Sequence, residues 1–180
     1  MNIPYLFSTK DRMKILSHVV FKTEQFGVNQ IAGELKLSKG LVSKYFEELA
    51  SEGILKRKQG KLIVQEIKDT KALRILLALN ALKPNAFKNY DFVKSAGVFG
   101  STTNGTNTEN SDIDLWILVN KTSETNLAKL TGELRKMAAN IKPIYLTEEK
   151  INLLKKEDKL FYNSLFFGSI TIYGDGIEAI

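Results

Sequence analysis

The 180 residues suffice for one roomy domain or two compact ones, and 43% hydrophobic with 26% charged residues fits an ordinary globular protein. The absence of cysteine excludes disulfides and thiolate metal sites and is compatible with a reducing compartment. The net charge of +6 is unevenly spread: residues 1–66 hold 11 Lys/Arg against 7 Asp/Glu, and the remainder 15 against 13, which points any polyanionic partner to the first third.

Ser8-x-x-Asp11 is a plausible cap for a helix over Ser8 to Val20, whose Met13, Leu16, Val19 and Val20 recur at helical spacing. The lone His18 lies on this helix and reads as a structural residue. Phe26-Gly27-Val28 predicts a short extended piece, after which Asn29 would cap a brief helix over Gln30 to Leu35. Lys36-Leu37-Ser38 has the length of a helix-turn-helix turn, and Ser38 is a good N-cap for a second helix reaching Ser51, with Gly53 placed to end it. On that helix Leu41, Val42, Tyr45, Phe46 and Leu49 form an apolar stripe, opposite Lys39, Gly40, Ser43, Lys44 and Glu47. Ile54 to Lys58, a Gln59-Gly60 turn and Lys61 to Val64 predict a β-hairpin with Lys56, Arg57, Lys58 and Lys61 about its tip.

Over residues 8–66 this order resembles the winged helix-turn-helix domain. The resemblance implies double-stranded DNA as partner, with Ser38, Lys39, Ser43, Lys44, Lys56, Arg57, Lys58 and Lys61 as DNA-binding residues. Small hydroxylated and cationic side chains suit a helix entering a groove, and wing cations suit phosphates. The alternative for the same charges is a solvated face on a protein–protein or dimerisation module. A homodimer is a candidate assembly, since winged helices often read two half-sites.

Asp69 to Leu82 is helical in pattern and apolar over much of its circumference, so it should be buried between the halves or in a dimer contact. Pro84 ends it. The expected organisation is residues 1–66, a connecting helix and linker at 67–92, and a second domain at 93–180.

Val93 to Phe99 predicts a strand that stops at Gly100-Ser101. Residues 102–111 are rich in Thr, Asn and Gly and contain nothing expected to build a core. Asp112 to Val119 then alternates and becomes continuously apolar, as a buried strand does. Residues i and i+2 of a strand share a face, so Asp112 and Asp114 would project together, roughly 6.5–7 Å apart at the backbone. Paired carboxylates at the start of a buried strand are costly unless they are paired or hold a cation. With one histidine and no cysteine the ligands must be oxygens, which favours Mg²⁺ or Mn²⁺. Gly100 permits close backbone approach, and Ser101 offers a hydroxyl and an N–H where an anion is welcome.

Val98-Phe99-Gly100-Ser101, a ten-residue loop and Asp112-Ile113-Asp114-Leu115 resemble the signature of the DNA polymerase β-like nucleotidyltransferases, particularly minimal members, with Gly105 where those sequences carry a second glycine. The resemblance implies that Asp112 and Asp114 are catalytic metal ligands, and that Gly100, Ser101 and Gly105 bind a nucleoside triphosphate. It also implies a third carboxylate on the strand after the helix Thr125 to Asn140, whose buried stripe is Leu127, Leu130, Leu134 and Met137. That strand, Ile141 to Thr147, has no acid: Lys142 and Ile144 occupy the positions sought. Pro143 suggests an edge strand, and Glu148 and Glu149 read as first-turn acids of a helix to about Lys156. Asn104 departs from the basic residue that often precedes the second glycine, and Asp175 reads as a turn residue.

The expected fold class is therefore α+β, a winged helix with a β-hairpin wing followed by a small mixed-sheet nucleotidyltransferase-like domain. The expected function is DNA binding joined to Mg²⁺–NTP binding and NMP transfer to a hydroxyl. The alternative is a catalytically silent, nucleotide-sensing or antitoxin-like regulator, or a scaffold. Neither a signal peptide nor a membrane span is readable, so the expected location is cytoplasmic.

Overall fold

Residues 2–177 are described by the computed structural model, and they form two units that divide between Leu77 and Ala78. The class is α+β: helices with a β-hairpin come first, then a mixed four-stranded sheet with helices.

In the first unit, α1 is Ile3–Leu6, α2 Lys10–Val19, α3 Val28–Leu35 and α4 Lys39–Ser51. The hydroxyl of Thr9, not of Ser8, caps α2 by accepting the Arg12 N–H; Ser8 Oγ instead accepts from the Arg12 guanidinium. Helix α3 likewise starts earlier than expected. Gly27 is its N-cap, so Val28 is helical and Asn29 lies within the first turn. Only Phe26 is extended here, and it pairs with Leu62 in an isolated bridge. The turn after α3 begins with Lys36 in the left-handed region, and α4 follows at the expected Ser38 cap.

The hairpin pairs β1, Leu55–Lys58, with β2, Lys61–Val64. Gln59 and Gly60 both have positive φ, the combination a two-residue turn needs to match strand twist. Ile15, Leu16, Val19, Ile31, Val42, Phe46, Leu49, Ile54 and Leu62 are in the core of this unit. Around it, Arg12 bonds the Tyr5 carbonyl and Glu48 at 2.9 Å each, which ties α1, α2 and α4 together. Helix α5, Lys68–Ala81, places Leu73 and Leu77 in the same core. Its Arg74, almost fully buried, donates to the Val20 carbonyl at 2.9 Å and to both Glu66 oxygens. A buried guanidinium requires such complete pairing.

In the second unit a 3₁₀ turn, Pro84–Asn89, follows the end of α5, and the sheet has the order β5-β4-β3-β6. Strand β3 is Val93–Phe99, β4 Ile113–Val119, β5 Ile141–Leu146 and β6 Ile170–Tyr173. Strands β3 and β4 are antiparallel, β4 and β5 parallel, and β6 runs antiparallel to β3. Between β4 and β5 runs α7, Glu124–Met137, with Leu130 and Leu134 fully buried and Leu127 and Met137 partly so. Pro143 lies on edge strand β5, where a residue without an N–H is tolerated. After β5, Thr147 caps α8, Glu148–Glu157, and α9, Lys159–Gly168, leads into β6.

The sheet has apolar packing on both faces. Val98, Leu115 and Ile117 join Leu130 and Leu134, while Trp116 and Leu118 join Ile151 and Leu165. Gly97 faces Trp116 across the β3–β4 pair, and a Cβ there would lie 2.5 Å from the indole ring. Only glycine admits the tryptophan at that position.

The Thr/Asn/Gly segment departs from expectation. Thr102, Gly105 and Asn107 are buried, so the loop builds part of the interior. It begins with a single turn, α6, Ser101–Asn104, closed by Gly105 at φ 65°. The Thr106 N–H bonds the Ser101 carbonyl at 3.1 Å, and Thr103 Oγ1 donates toward the Gly100 and Gly168 carbonyls at 3.0 and 2.7 Å. Short polar side chains satisfy the backbone of a tight loop, which compositional reading mistakes for featureless polarity.

Candidate functional site

The convergence of charge lies at the C-terminal end of β3 and the beginning of β4. Antiparallel register sets Phe99 opposite Asp114, so Gly100 falls beside the Asp114 side chain. Gly100 has φ 71° and ψ −138°, a region open only to glycine. A Cβ there would stand 3.0 Å from Asp114 Oδ2. Backbone and carboxylate thus lie close together, with Ser101 opening the following turn.

Asp112 precedes β4 and is held by its neighbours. The Ile113 N–H donates to the Asn140 carbonyl at 3.0 Å, and Asn140 Nδ2 donates to the Ser111 carbonyl at 2.6 Å. Thr108 and Ser111 close the preceding loop, the Thr108 N–H donating to Ser111 Oγ at 2.9 Å. Asn140 therefore bonds the residues on either side of Asp112, a contact that sequence reasoning missed. Its only sequence signal was its place immediately before β5.

Burial of Asp114, then the nearby Asp112 charge, raise the Asp114 carboxyl above the usual range, with Lys142 acting in the opposite sense. No described residue donates a hydrogen bond to the Asp114 carboxylate. Asp112 instead has a cation partner: Lys142 Nζ lies 2.6 Å from its Oδ2. Parallel register places Lys142 directly opposite Asp114, at the position where a third acid was sought. The hydrogen bond and charge of Asp112 hold the Lys142 ammonium above its ordinary value.

The cluster is therefore of mixed charge, two carboxylates beside one ammonium. Asp112 and Asp114 offer carboxylate oxygens, but the adjoining strand contributes an ammonium. No group of three or more acidic or imidazole side chains that could hold a metal occurs among the described residues. Within the same loop, Thr102 Oγ1 and Asn107 Oδ1 are buried without a protein hydrogen-bond partner, which leaves polar capacity inside the unit. Gly105 is buried and supplies the left-handed end of the turn.

Glu148 and Glu149 lie away from this cluster, at the first turn of α8. Glu148 pairs with Lys94 at 2.6 Å, and the Thr147 hydroxyl with helix-end backbone holds Glu149 below the usual carboxylate range. They border a cleft of about 480 Å³ at the opposite end of β4, lined also by Lys121, Leu127 and Tyr145. Asp175 falls in a bend after β6.

In the first unit, Lys39, Lys44, Lys56, Arg57, Lys58 and Lys61 are exposed and Ser43 is half-buried. Ser38 Oγ accepts the Leu41 N–H at 3.3 Å as the cap of α4. His18 Nε2 meets Glu34 Oε2 at 2.5 Å, with Gln30 and Lys22 about the same carboxylate. No helix among the described residues is long and apolar enough to cross a membrane.

Comparison with known proteins bears on the second unit. No curated protein matches the chain. Among solved structures, it is similar to a chain of the tri-AMPylated Shewanella oneidensis HEPN toxin–MNT antitoxin complex, at 13% identity over 58% of this chain and 73% of that one, TM-score 0.33. A toxin–antitoxin structure with AMP-PNP is similar at 15% identity over 61% and 75%, TM-score 0.35. A candidate nucleotidyltransferase from Sulfolobus solfataricus is similar at 16% identity over 61% and 86%, TM-score 0.35. Residues 83–175 match the family described as polymerase beta, nucleotidyltransferase, a span that holds Gly100, Ser101, Asp112 and Asp114 and takes in more than half of the sequence. With these residues at adjoining strand ends inside that span, the chain belongs to the polymerase beta nucleotidyltransferase family.

Proposed function

We propose that the second unit binds a nucleoside triphosphate with one divalent cation, Mg²⁺ or Mn²⁺, and transfers its NMP group to a hydroxyl acceptor. The observation that carries this reading is the apposition of Gly100, in a conformation reserved for glycine, to the partly buried Asp114 carboxylate. Asp112 and Asp114 would hold the cation, which when bound offsets triphosphate charge and makes the α-phosphorus more electrophilic. Gly100 lets phosphate approach the backbone, Ser101 supplies N–H and hydroxyl donors, and Gly105 ends the turn that presents them. The reaction class is attack of the acceptor oxygen on the α-phosphorus, with pyrophosphate leaving.

A second reading, nucleotide sensing without transfer, is favoured by one observation: Lys142 stands opposite Asp114 where an activating acid would be expected. The two readings part on incubation with α-labelled NTPs and Mg²⁺ or Mn²⁺, with Asp112→Ala/Asp114→Ala as control. Label transferred by wild type and lost in the variant supports transfer. Cation-dependent binding without transfer supports sensing, and no binding contradicts both.

For the first unit we propose a winged helix-turn-helix that binds double-stranded DNA. The three-residue turn between α3 and α4, the Phe26–Leu62 bridge beside the hairpin, and exposed cations on α4 and the hairpin support it. Lys39, Ser43 and Lys44 would face the groove, while Lys56, Arg57, Lys58 and Lys61 would contact phosphates. Ser38 would contribute through the helix end that it caps. Residues 1–66 would form this module, 67–92 a connection, and 93–180 the nucleotide-binding domain, with a homodimer as the assembly and the cytoplasm as its location. Titration of duplex DNA at low salt tests the reading; no affinity there contradicts it.

A further inference from the structure

We propose that Lys142 is a built-in counter-cation of the nucleotide site, and that its ammonium limits the Asp112–Asp114 pair to one divalent ion. This rests on the proposed triphosphate site and specifies its charge balance. Three observations meet at Lys142. Parallel register fixes it opposite Asp114, and its Nζ lies 2.6 Å from Asp112 Oδ2. The pair is also substantially open to solvent, with Lys142 66% and Asp112 44% exposed. An ion pair so exposed adds little to folding stability, so its effect is to place a positive charge beside two carboxylates.

That charge has two consequences. One Asp112 oxygen is already engaged by a cation, leaving its other oxygen and Asp114 for a metal ion. The adjoining strand also presents an ammonium beside the two carboxylates, and a lysine ammonium has no acceptor to offer a metal. Lys142 therefore supplies a single positive charge to the site in place of a second ion. It acts through Asp112 and the bound phosphate charge, as a positioning residue.

The test is Mn²⁺ stoichiometry by electron paramagnetic resonance on the full chain, with inorganic tripolyphosphate as the base-independent probe. Wild type should bind one Mn²⁺ per chain, and folded Lys142→Asp should bind two. Lys142→Met, which removes the ammonium without adding a ligand, should raise Mn²⁺ affinity of the tripolyphosphate-free protein by about tenfold. It should also weaken tripolyphosphate binding in the absence of metal. Two ions in wild type, one ion in both wild type and folded Lys142→Asp, or no affinity change in Lys142→Met overturns the role of Lys142. Failure of wild type to bind either Mn²⁺ or tripolyphosphate overturns the nucleotide-site reading itself, and this inference with it.

Discussion

The two units use charge in opposite ways. In the first, Lys39, Lys44, Lys56, Arg57, Lys58 and Lys61 are spread over exposed surface, where water and salt screen each one. In the second, Asp112, Asp114 and Lys142 converge at adjoining strand ends, where burial and like charge raise the Asp114 carboxyl. Dispersed cations cost the fold little and suit an extended polyanion, whose grip is a sum of small contacts. Convergent carboxylates cost the fold more and suit a compact ligand that brings its own cation. Single substitutions should therefore act gradually in the first unit and sharply in the second.

The largest expected effect is at Asp114. Asp114→Asn should lower metal-dependent NTP affinity on the order of 100-fold, about 2.7 kcal/mol, measured by calorimetric titration. A change below threefold would erase the contrast between the units. Gly100→Ala comes next: a side chain on a glycine-only backbone at φ 71°, with its Cβ 3.0 Å from Asp114 Oδ2, should cost about 1–3 kcal/mol of stability, readable in denaturant unfolding. An unchanged unfolding midpoint would show that the turn relaxes freely.

In the first unit, Ser38→Ala should cost about 1 kcal/mol by removing the cap on α4, measured by thermal unfolding. Arg57→Ala/Lys58→Ala should leave stability unchanged and reduce the slope of log affinity for duplex DNA against log salt by about 2. A loss confined to one DNA sequence with no change in slope would instead make these side chains readers of bases.

The smallest effect concerns pH. Because the folded Asp114 carboxyl titrates above its unfolded value, the native state binds more protons between those values. Its contribution is therefore most favourable below the unfolded value and declines as pH rises through the folded one. Glu34 and Glu149 are shifted downward and contribute in the opposite sense. The difference in thermal midpoint between wild type and Asp114→Asn, taken without metal, should isolate the Asp114 contribution. Superimposable acid profiles for the two proteins would contradict it.

Much of this arrangement is legible in the residues, for identifiable reasons. Period-3.6 patterning is strong where one helix face is buried, so the α4 stripe could be placed closely, and the short apolar run Val93–Phe99 ended by Gly100 marked a strand buried on both faces. The two aspartates announce themselves because carboxylates at the start of an apolar strand require compensation. Cap choice at Thr9 over Ser8, and at Gly27 over Asn29 for α3, were not legible, since neighbouring residues were competent caps as well. Helix α9 and strand β6 were missed because Leu160 and Phe167 are exposed and the strand is short, which blurs both periodicities. Asn140 was invisible because its role depends on the parallel alignment of β5 with β4. The same alignment turns Lys142 from a missing acid into a charge facing Asp112.

The central claim, that Asp112 and Asp114 form a cation-dependent nucleotide site, is tested most directly by titrating each of the four NTPs into wild type and Asp112→Ala/Asp114→Ala, with Mg²⁺ and with chelator. At least one NTP should bind wild type in a Mg²⁺-dependent manner, and the variant should lose that dependence while keeping its thermal unfolding transition. Equal binding by both proteins, or no binding by wild type under any condition, would contradict the account.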